Sequence, residues 1–331
     1  MQTRQLGRSG PVLPALGLGC MGMSDFYGAA DEAESRATIR AALDAGLKLV
    51  DTGDFYGTGH NELLIAQALE GIPRDRVFLA VKFGALRDPG GGWGGFDARP
   101  ARIRNDLAQT LRKLRTDHVD LYQPARVDPQ VPIEDVVGTI GELVKGGWVR
   151  HVGLSEAGPE TLRRAARVHP IAQLQIEYSL MSRSIEARVL PACRELGIGV
   201  TAYGVLSRGL LGGGMGATGP NRPRDGRGRF PRFQGENLVT NLALVEALRA
   251  LAAEKGATPA QLSIAWVLSR GEDIVPLVGA RRRDQLADAL RALELRLSPE
   301  DLARIEAAVP AEAVAGTRYD EQGMRLLDSE R

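Results

Sequence analysis

Short β-branched and aliphatic runs alternate along the whole chain with stretches of helical periodicity, and this alternation restricts the fold more than any other feature. The runs are LKLVDT (47–52), VFLAVK (77–82), HVDLY (118–122), VRHVGLS (149–155), AQLQIE (172–177), IGVTAY (198–203) and DIVPLVG (273–279). Strands that are apolar on both faces are what a parallel sheet covered by helices demands. Helix starts lie between them: Asp31 with Glu34, Thr258 before Pro259, and Ser298-Pro299 with Asp301 each set a side-chain oxygen to accept an early backbone N–H. Repeated strand–helix units, seven with a clear strand and one without, predict a closed (β/α)8 TIM barrel. Residues 3–19, broken at Ser9-Gly10-Pro11, read as an N-terminal β-hairpin capping the barrel floor, and Ser298 opens extra C-terminal helices. No linker divides the chain, so residues 1–331 form a single expected domain.

Two connections are long for a compact domain. Residues 83–98 are glycine-rich and carry Trp93 and Phe96, while residues 207–234 mix glycine, proline and arginine. Such loops tend to cover sites.

Composition excludes several classes of function. The 42 lysines and arginines balance 41 acidic residues, so no net field favours nucleic acid or an anionic membrane as partner. Cys20 and Cys193 provide neither a disulfide framework nor a metal cluster. No basic start leads into an apolar segment and no run of about 18 apolar residues occurs, so a cytoplasmic location is expected, with homo-oligomerisation left open.

Barrels place their chemistry where strands end, and two of the runs end on reactive residues. The first leads into Asp51-Thr-Gly-Asp-Phe-Tyr56-Gly, and the second ends at Lys82. Hydride addition to a carbonyl leaves an alkoxide that must be protonated, and a tyrosine with a reference pKa of about 10 needs help to act near neutrality. A buried lysine supplies it by stabilising the phenolate, and a carboxylate keeps that lysine charged. Taken singly, each residue would more often be a structural ion pair or packing group than a catalytic one. A Schiff-base role for Lys82 would need an uncharged amine, against which Asp51 argues.

These segments, taken in order, resemble the aldo-keto reductases. DTGDFYG resembles the family's DTAxxYG; VKFG and DLYQPARVD match its next two catalytic segments; GWVRHVGLSE, LQIEYSL, AYGVLSRGLL and IVPLVGARRRDQL are similar to its cofactor-binding segments. PRFQGEN (231–237) and HPIAQLQIEYSL (169–180) are most similar to the YakC-like, pyridoxal-reductase-like microbial NADPH-dependent branch. The resemblance implies reduction of an aldehyde or ketone by NADPH, with a small-molecule carbonyl compound as partner and no metal. Tyr56 becomes the general acid and Lys82 with Asp51 its electrostatic support. Where the family usually has histidine the chain has Ala125, which lacks the donor that contacts the substrate carbonyl, and His60 is the only histidine expected near the site.

The same resemblance assigns the cofactor residues. Ser155 and Gln175 would hold the nicotinamide carboxamide and Tyr203 would stack on its ring, with Gly19 and Met21, and also Gly17, lining that end. Glu156 stands where most members have asparagine. Gly204, Leu206, Ser207, Arg208 and Gly209 would face the pyrophosphate. Gly279 and Arg281 would meet the additional phosphate at a helix start, with Gln285 and Asp288 toward the adenosine. The substrate rim is expected from Met23, Phe26, Trp93, Phe96 and the 207–234 loop. Ala125 keeps a rival open: an NADPH-binding regulatory barrel with little turnover.

Overall fold

The computed structural model describes residues 1–220 and 225–331. It opens with the expected hairpin, strands β1 (Thr3–Gln5) and β2 (Val12–Pro14), antiparallel with Arg4 opposite Leu13. Leu6 and Leu13 pack with Leu49, Phe78, Leu121, Val275 and Leu277 to close the barrel floor. Eight parallel strands then form the closed barrel: β3 (Gly17–Gly19), β4 (Leu49–Gly53), β5 (Phe78–Phe83), and, after a hairpin of β6 (Ala85–Arg87) and β7 (Trp93–Phe96), β8 (Val119–Pro124), β9 (Val149–Ser155), β10 (Ile171–Glu177), β11 (Gly199–Tyr203) and β12 (Ile274–Val278). All seven strands expected from apolar runs are present.

The eighth strand is β3, which the sequence reading gave to the hairpin region and the cofactor wall. It closes the barrel by pairing Leu18 with both Val278 and Val50. A Cβ on Gly17 would come within 2.7 Å of the Leu49 and Leu277 side chains, so glycine here serves barrel packing, and Gly17 does not line the cavity described below.

The helices start where their caps dictate. Asp31 accepts the Glu34 N–H at 2.9 Å ahead of α1 (Glu32–Asp44). Helices α2 (His60–Ala68), α3 (Pro100–Leu114), α4 (Ile133–Lys145), α5 (Pro159–Val168) and α6 (Val189–Leu196) follow their strands. An additional helix, α7 (Gly235–Glu254), precedes α8 (Pro259–Ser269), which begins with a reciprocal Thr258–Gln261 capping box. After α9 (Arg283–Leu290), a second capping box of Ser298 and Asp301 starts α10 (Pro299–Ala308), and α11 (Glu321–Arg325) ends the C-terminal helices. Among the described residues no helix is long and apolar enough to cross a membrane.

Both long connections lie at the carboxyl ends of the strands. The first is the β6–β7 hairpin. The second crosses from the loop after β11 to the loop after β3: Gly226 N–H donates to Phe26 O at 2.8 Å, and Arg227 Nη1 donates to Arg208 O at 2.8 Å. Positions 221–224 of that expected 207–234 loop lie outside the described residues.

The C-terminal tail is fastened to the same end by buried charges. Glu156, in the left-handed region at φ 54°, accepts Arg318 Nη1 and Nη2 at 2.7 and 2.6 Å, Ser329 Oγ at 2.6 Å and the Tyr203 hydroxyl at 2.7 Å. Glu177 pairs with Arg208 at 3.1 Å, and Arg232 and Arg318 lie 3.5 and 3.6 Å from it. Burial alone would raise both carboxyls, but the surrounding arginines hold them below the usual carboxylate range.

A carboxyl depressed in the folded state stabilises above its unfolded pKa of about 4.3 and loses that contribution as pH falls toward the folded value. Glu156→Gln removes one partner of a buried pair and should cost about 3–5 kcal/mol at pH 7 in urea unfolding. The gap from the unsubstituted protein should narrow below about pH 4. A gap independent of pH would show that the tail does not depend on the carboxylate charge.

Candidate active site

Asp51 and Lys82 lie near the carboxyl ends of neighbouring strands β4 and β5, and Tyr56 stands in the turn that follows β4. That turn reverses within a few residues because Gly57 and Thr58 adopt φ 57° and 54°. The three side chains line one cavity of about 800 Å³ at the open mouth of the barrel. Lys82 Nζ donates to Asp51 Oδ1 at 2.6 Å, and Gln175 Nε2 donates to Asp51 Oδ2 at 2.6 Å, so both carboxylate oxygens are engaged. Lys82 Nζ lies 5.1 Å from the centroid of the Tyr56 ring.

This geometry corrects the expected electrostatics of Tyr56. Burial pushes its phenol well above the ordinary tyrosine value, the Asp51 charge pushes the same way, and Arg126 partly opposes them. Burial also lowers Lys82, although Asp51 counters it. The ammonium donates to Asp51, and the net shift of the phenol is upward. Tyr56 therefore rests as a neutral O–H, suited to giving a proton.

Ala125 packs with Phe55, Tyr56 and Ala85 in the apolar cluster beside the acid, and no imidazole enters the cavity. His60 bonds Ser24 Oγ at 2.9 Å and Glu32 Oε1 at 3.0 Å and does not line the cavity. On the expected substrate rim Phe26, Trp93 and Phe96 are present, the Arg87 guanidinium lying 3.8 Å from the centre of the Trp93 ring. Met23 is instead buried in the core at 2% exposure.

The residues expected to hold the cofactor line the same cavity: Gly19, Met21, Ser155, Gln175, Tyr203, Gly204, Leu206, Arg208, Gly209, Gly279, Arg281, Gln285 and Asp288. Ser207 is buried and is not on the cavity wall. Three polar atoms of this set, Ser155 Oγ, Ser207 Oγ and Arg208 Nη1, are buried without a hydrogen-bond partner among the described residues. Native proteins rarely leave such atoms unsatisfied unless a ligand or water completes them, so this donor set fits a nicotinamide dinucleotide. Arg281 Nη1 donates to Tyr27 O at 3.1 Å, and its backbone N–H meets Gln285 Oε1 at 3.2 Å. Asp288 accepts from Gln261 at 2.6 Å and Thr258 at 3.1 Å, tying α9 to α8.

Phe230, within the expected 207–234 rim, lines the cavity, whereas sequence reasoning missed Arg126, Tyr27 and Tyr319, which also line it. Tyr319 comes from the tail: its hydroxyl lies 3.0 Å from the Tyr203 hydroxyl and accepts Arg126 Nη2 at 3.0 Å. No local periodicity announces a contact between residues 116 positions apart; the Arg-Tyr pair after the last long helix was the available signal.

Known proteins agree with this arrangement. A family model described as the aldo/keto reductase family matches residues 15–310. The chain is 41% identical over 320 residues to a probable aldo-keto reductase of Glycine max, covering 96% of this chain and 92% of the relative. The structure is similar to that of a glycerol dehydrogenase from Gluconobacter oxydans, with 30% identity, a TM-score of 0.84, and coverage of 93% of this chain and 96% of that one. It is also similar to a thermostable aldo-keto reductase solved with the inhibitor epalrestat, with 27% identity, a TM-score of 0.74, and coverage of 93% and 100%. Motif order, barrel topology and these relatives converge: the chain belongs to the aldo/keto reductase family and is an oxidoreductase.

Proposed function

We propose that this protein reduces an aldehyde or ketone to an alcohol using NADPH, with Tyr56 as the proton donor. The carrying observation is the meeting, in one cavity, of a buried tyrosine, the Lys82–Asp51 pair and polar atoms of Ser155 and Arg208 that have no hydrogen-bond partner among the described residues. When bound, NADPH supplies hydride to the carbonyl carbon. Tyr56 then gives its proton to the oxygen. Because its pKa lies above that of a free phenol, transfer is favoured only once negative charge has developed on that oxygen. Lys82 stands close enough to the ring to stabilise the phenolate left behind, and Asp51, pinned by Gln175, fixes where the ammonium sits.

Around the chemistry, Ser155 and Gln175 offer polar contacts to a carboxamide, and Tyr203 offers an aromatic face. Gly204, Arg208 and Gly209, which line the cavity, suit the pyrophosphate, and Arg281 near the start of α9 suits the extra phosphate that distinguishes NADPH. PRFQGEN (231–237) supports placement in the pyridoxal-reductase-like branch. A second reading, an NADPH-binding regulatory barrel with little turnover, is favoured by Ala125 alone.

Tyr56→Phe keeps the ring and removes the proton donor. Carbonyl reduction, followed by NADPH absorbance, should fall roughly 10²–10⁴-fold while NADPH binding by fluorescence titration persists. Turnover near that of the unsubstituted protein would remove Tyr56 from its role, and an unsubstituted protein that binds NADPH but reduces no carbonyl in a broad panel would establish the regulatory reading.

Arg281→Ala should weaken NADPH more than NADH by about tenfold or more, since charge-assisted hydrogen bonds contribute roughly 1.5–3 kcal/mol. Equal weakening of both would assign Arg281 to the shared part of the cofactor or to its contact with Tyr27.

A further inference from the structure

Beside Tyr56 the cavity wall is carried by Ala125 and Arg126. The Arg126 guanidinium donates to the Ala125 carbonyl at 2.6 Å and to the Tyr319 hydroxyl at 3.0 Å, with the Tyr319 ring centre 5.6 Å away. No carboxylate of the described residues lies within ion-pair distance of it. Three other arginines of the same wall are neutralised: Arg208 by Glu177 at 3.1 Å, Arg227 by Asp225 at 2.6 Å and Arg282 by Asp284 at 2.9 Å. A guanidinium drawn out of water without a carboxylate partner is costly unless something completes it.

Its position separates it from the residues suited to phosphates. The Arg126 charge acts on both Tyr56 and Lys82, which places it at the reacting end of the cavity. Burial opposes ionisation of Tyr319, but Arg126 and Arg208 bring its hydroxyl below the ordinary tyrosine value, making it a stronger donor.

We propose that Arg126 and the Tyr319 hydroxyl form an anion subsite for the substrate, and that the carbonyl compounds reduced here carry a carboxylate. This rests on the reductase reading above. One guanidinium and one neutral hydroxyl balance a single negative charge, and the planar fork matches a carboxylate. The subsite also answers the loss of the family's histidine at Ala125. A substrate held by its carboxylate is oriented by a part that does not react, and that binding contributes to placing the carbonyl against Tyr56.

The test uses 2-, 3- and 4-formylbenzoate and their methyl esters with the full-length protein and saturating NADPH. At least one acid should exceed its ester in kcat/KM by tenfold or more, although the ester carries the more electrophilic aldehyde. Arg126→Gln should reduce that acid-to-ester ratio by tenfold or more, and Tyr319→Phe, which removes no charge, should reduce it to a lesser extent. Equal use of acid and ester by the unsubstituted protein, or a ratio untouched by Arg126→Gln, overturns the subsite and leaves the reductase reading standing. Loss of NADPH affinity in Arg126→Gln with acid and ester falling together assigns the guanidinium to the cofactor or the fold, and also overturns it.

Calorimetric titration of the matching hydroxymethylbenzoates into the NADP⁺ complex reads the subsite without turnover. Tighter binding of an acid than of its ester, abolished by Arg126→Gln, is expected. If that holds while no carbonyl is reduced, the reductase reading fails and the subsite survives; if acid and ester bind alike, the subsite fails.

Discussion

A lysine and an aspartate meet inside this barrel at 2.6 Å, each almost wholly removed from water. Burying either alone would cost several kcal/mol, so the two must be held together, and the remaining Asp51 oxygen must also be met. Gln175 meets it from β10, on the far side of the barrel from β4. The carboxylate thus links strands that share no backbone hydrogen bonds. The position of Tyr56 above the pair follows from that link, because the turn carrying it leaves directly from the strand bearing Asp51.

The pairing of Lys82 with Asp51 was legible in the residue types. The upward shift of the Tyr56 phenol was not, because the burial that drives it is set by the fold. Seven barrel strands were legible because burial on both faces leaves continuous apolar runs. Gly17–Gly19 was not, because a three-residue strand with one apolar side chain between two glycines, the first of them fixed by crowding, carries no such pattern. Helix starts at Asp31, Thr258 and Ser298 were legible because capping is local chemistry. Nearly all of the residues that motif order assigned to a cofactor line the cavity.

The tail was the least legible part. Arg318 and Tyr319 reach Glu156, Tyr203 and Arg126 through contacts 162, 116 and 193 positions apart in sequence, and neither composition nor periodicity records them. Glu156 shows how one side chain can organise a distant segment: its carboxylate gathers two guanidinium nitrogens and two hydroxyls. A position read as adjoining the cofactor is an anchor for the C-terminus.

That anchor runs through Tyr203, whose hydroxyl touches Glu156 and Tyr319 while its ring borders the cavity. A ligand seated on that ring and the docked tail therefore share a residue. Equilibrium coupling of this kind is reciprocal: by whatever factor the docked tail tightens the ligand, the ligand tightens the docking of the tail. The last residues of the chain become a reporter of occupancy, and protection of their backbone amides from hydrogen exchange registers the same free energy as the binding isotherm.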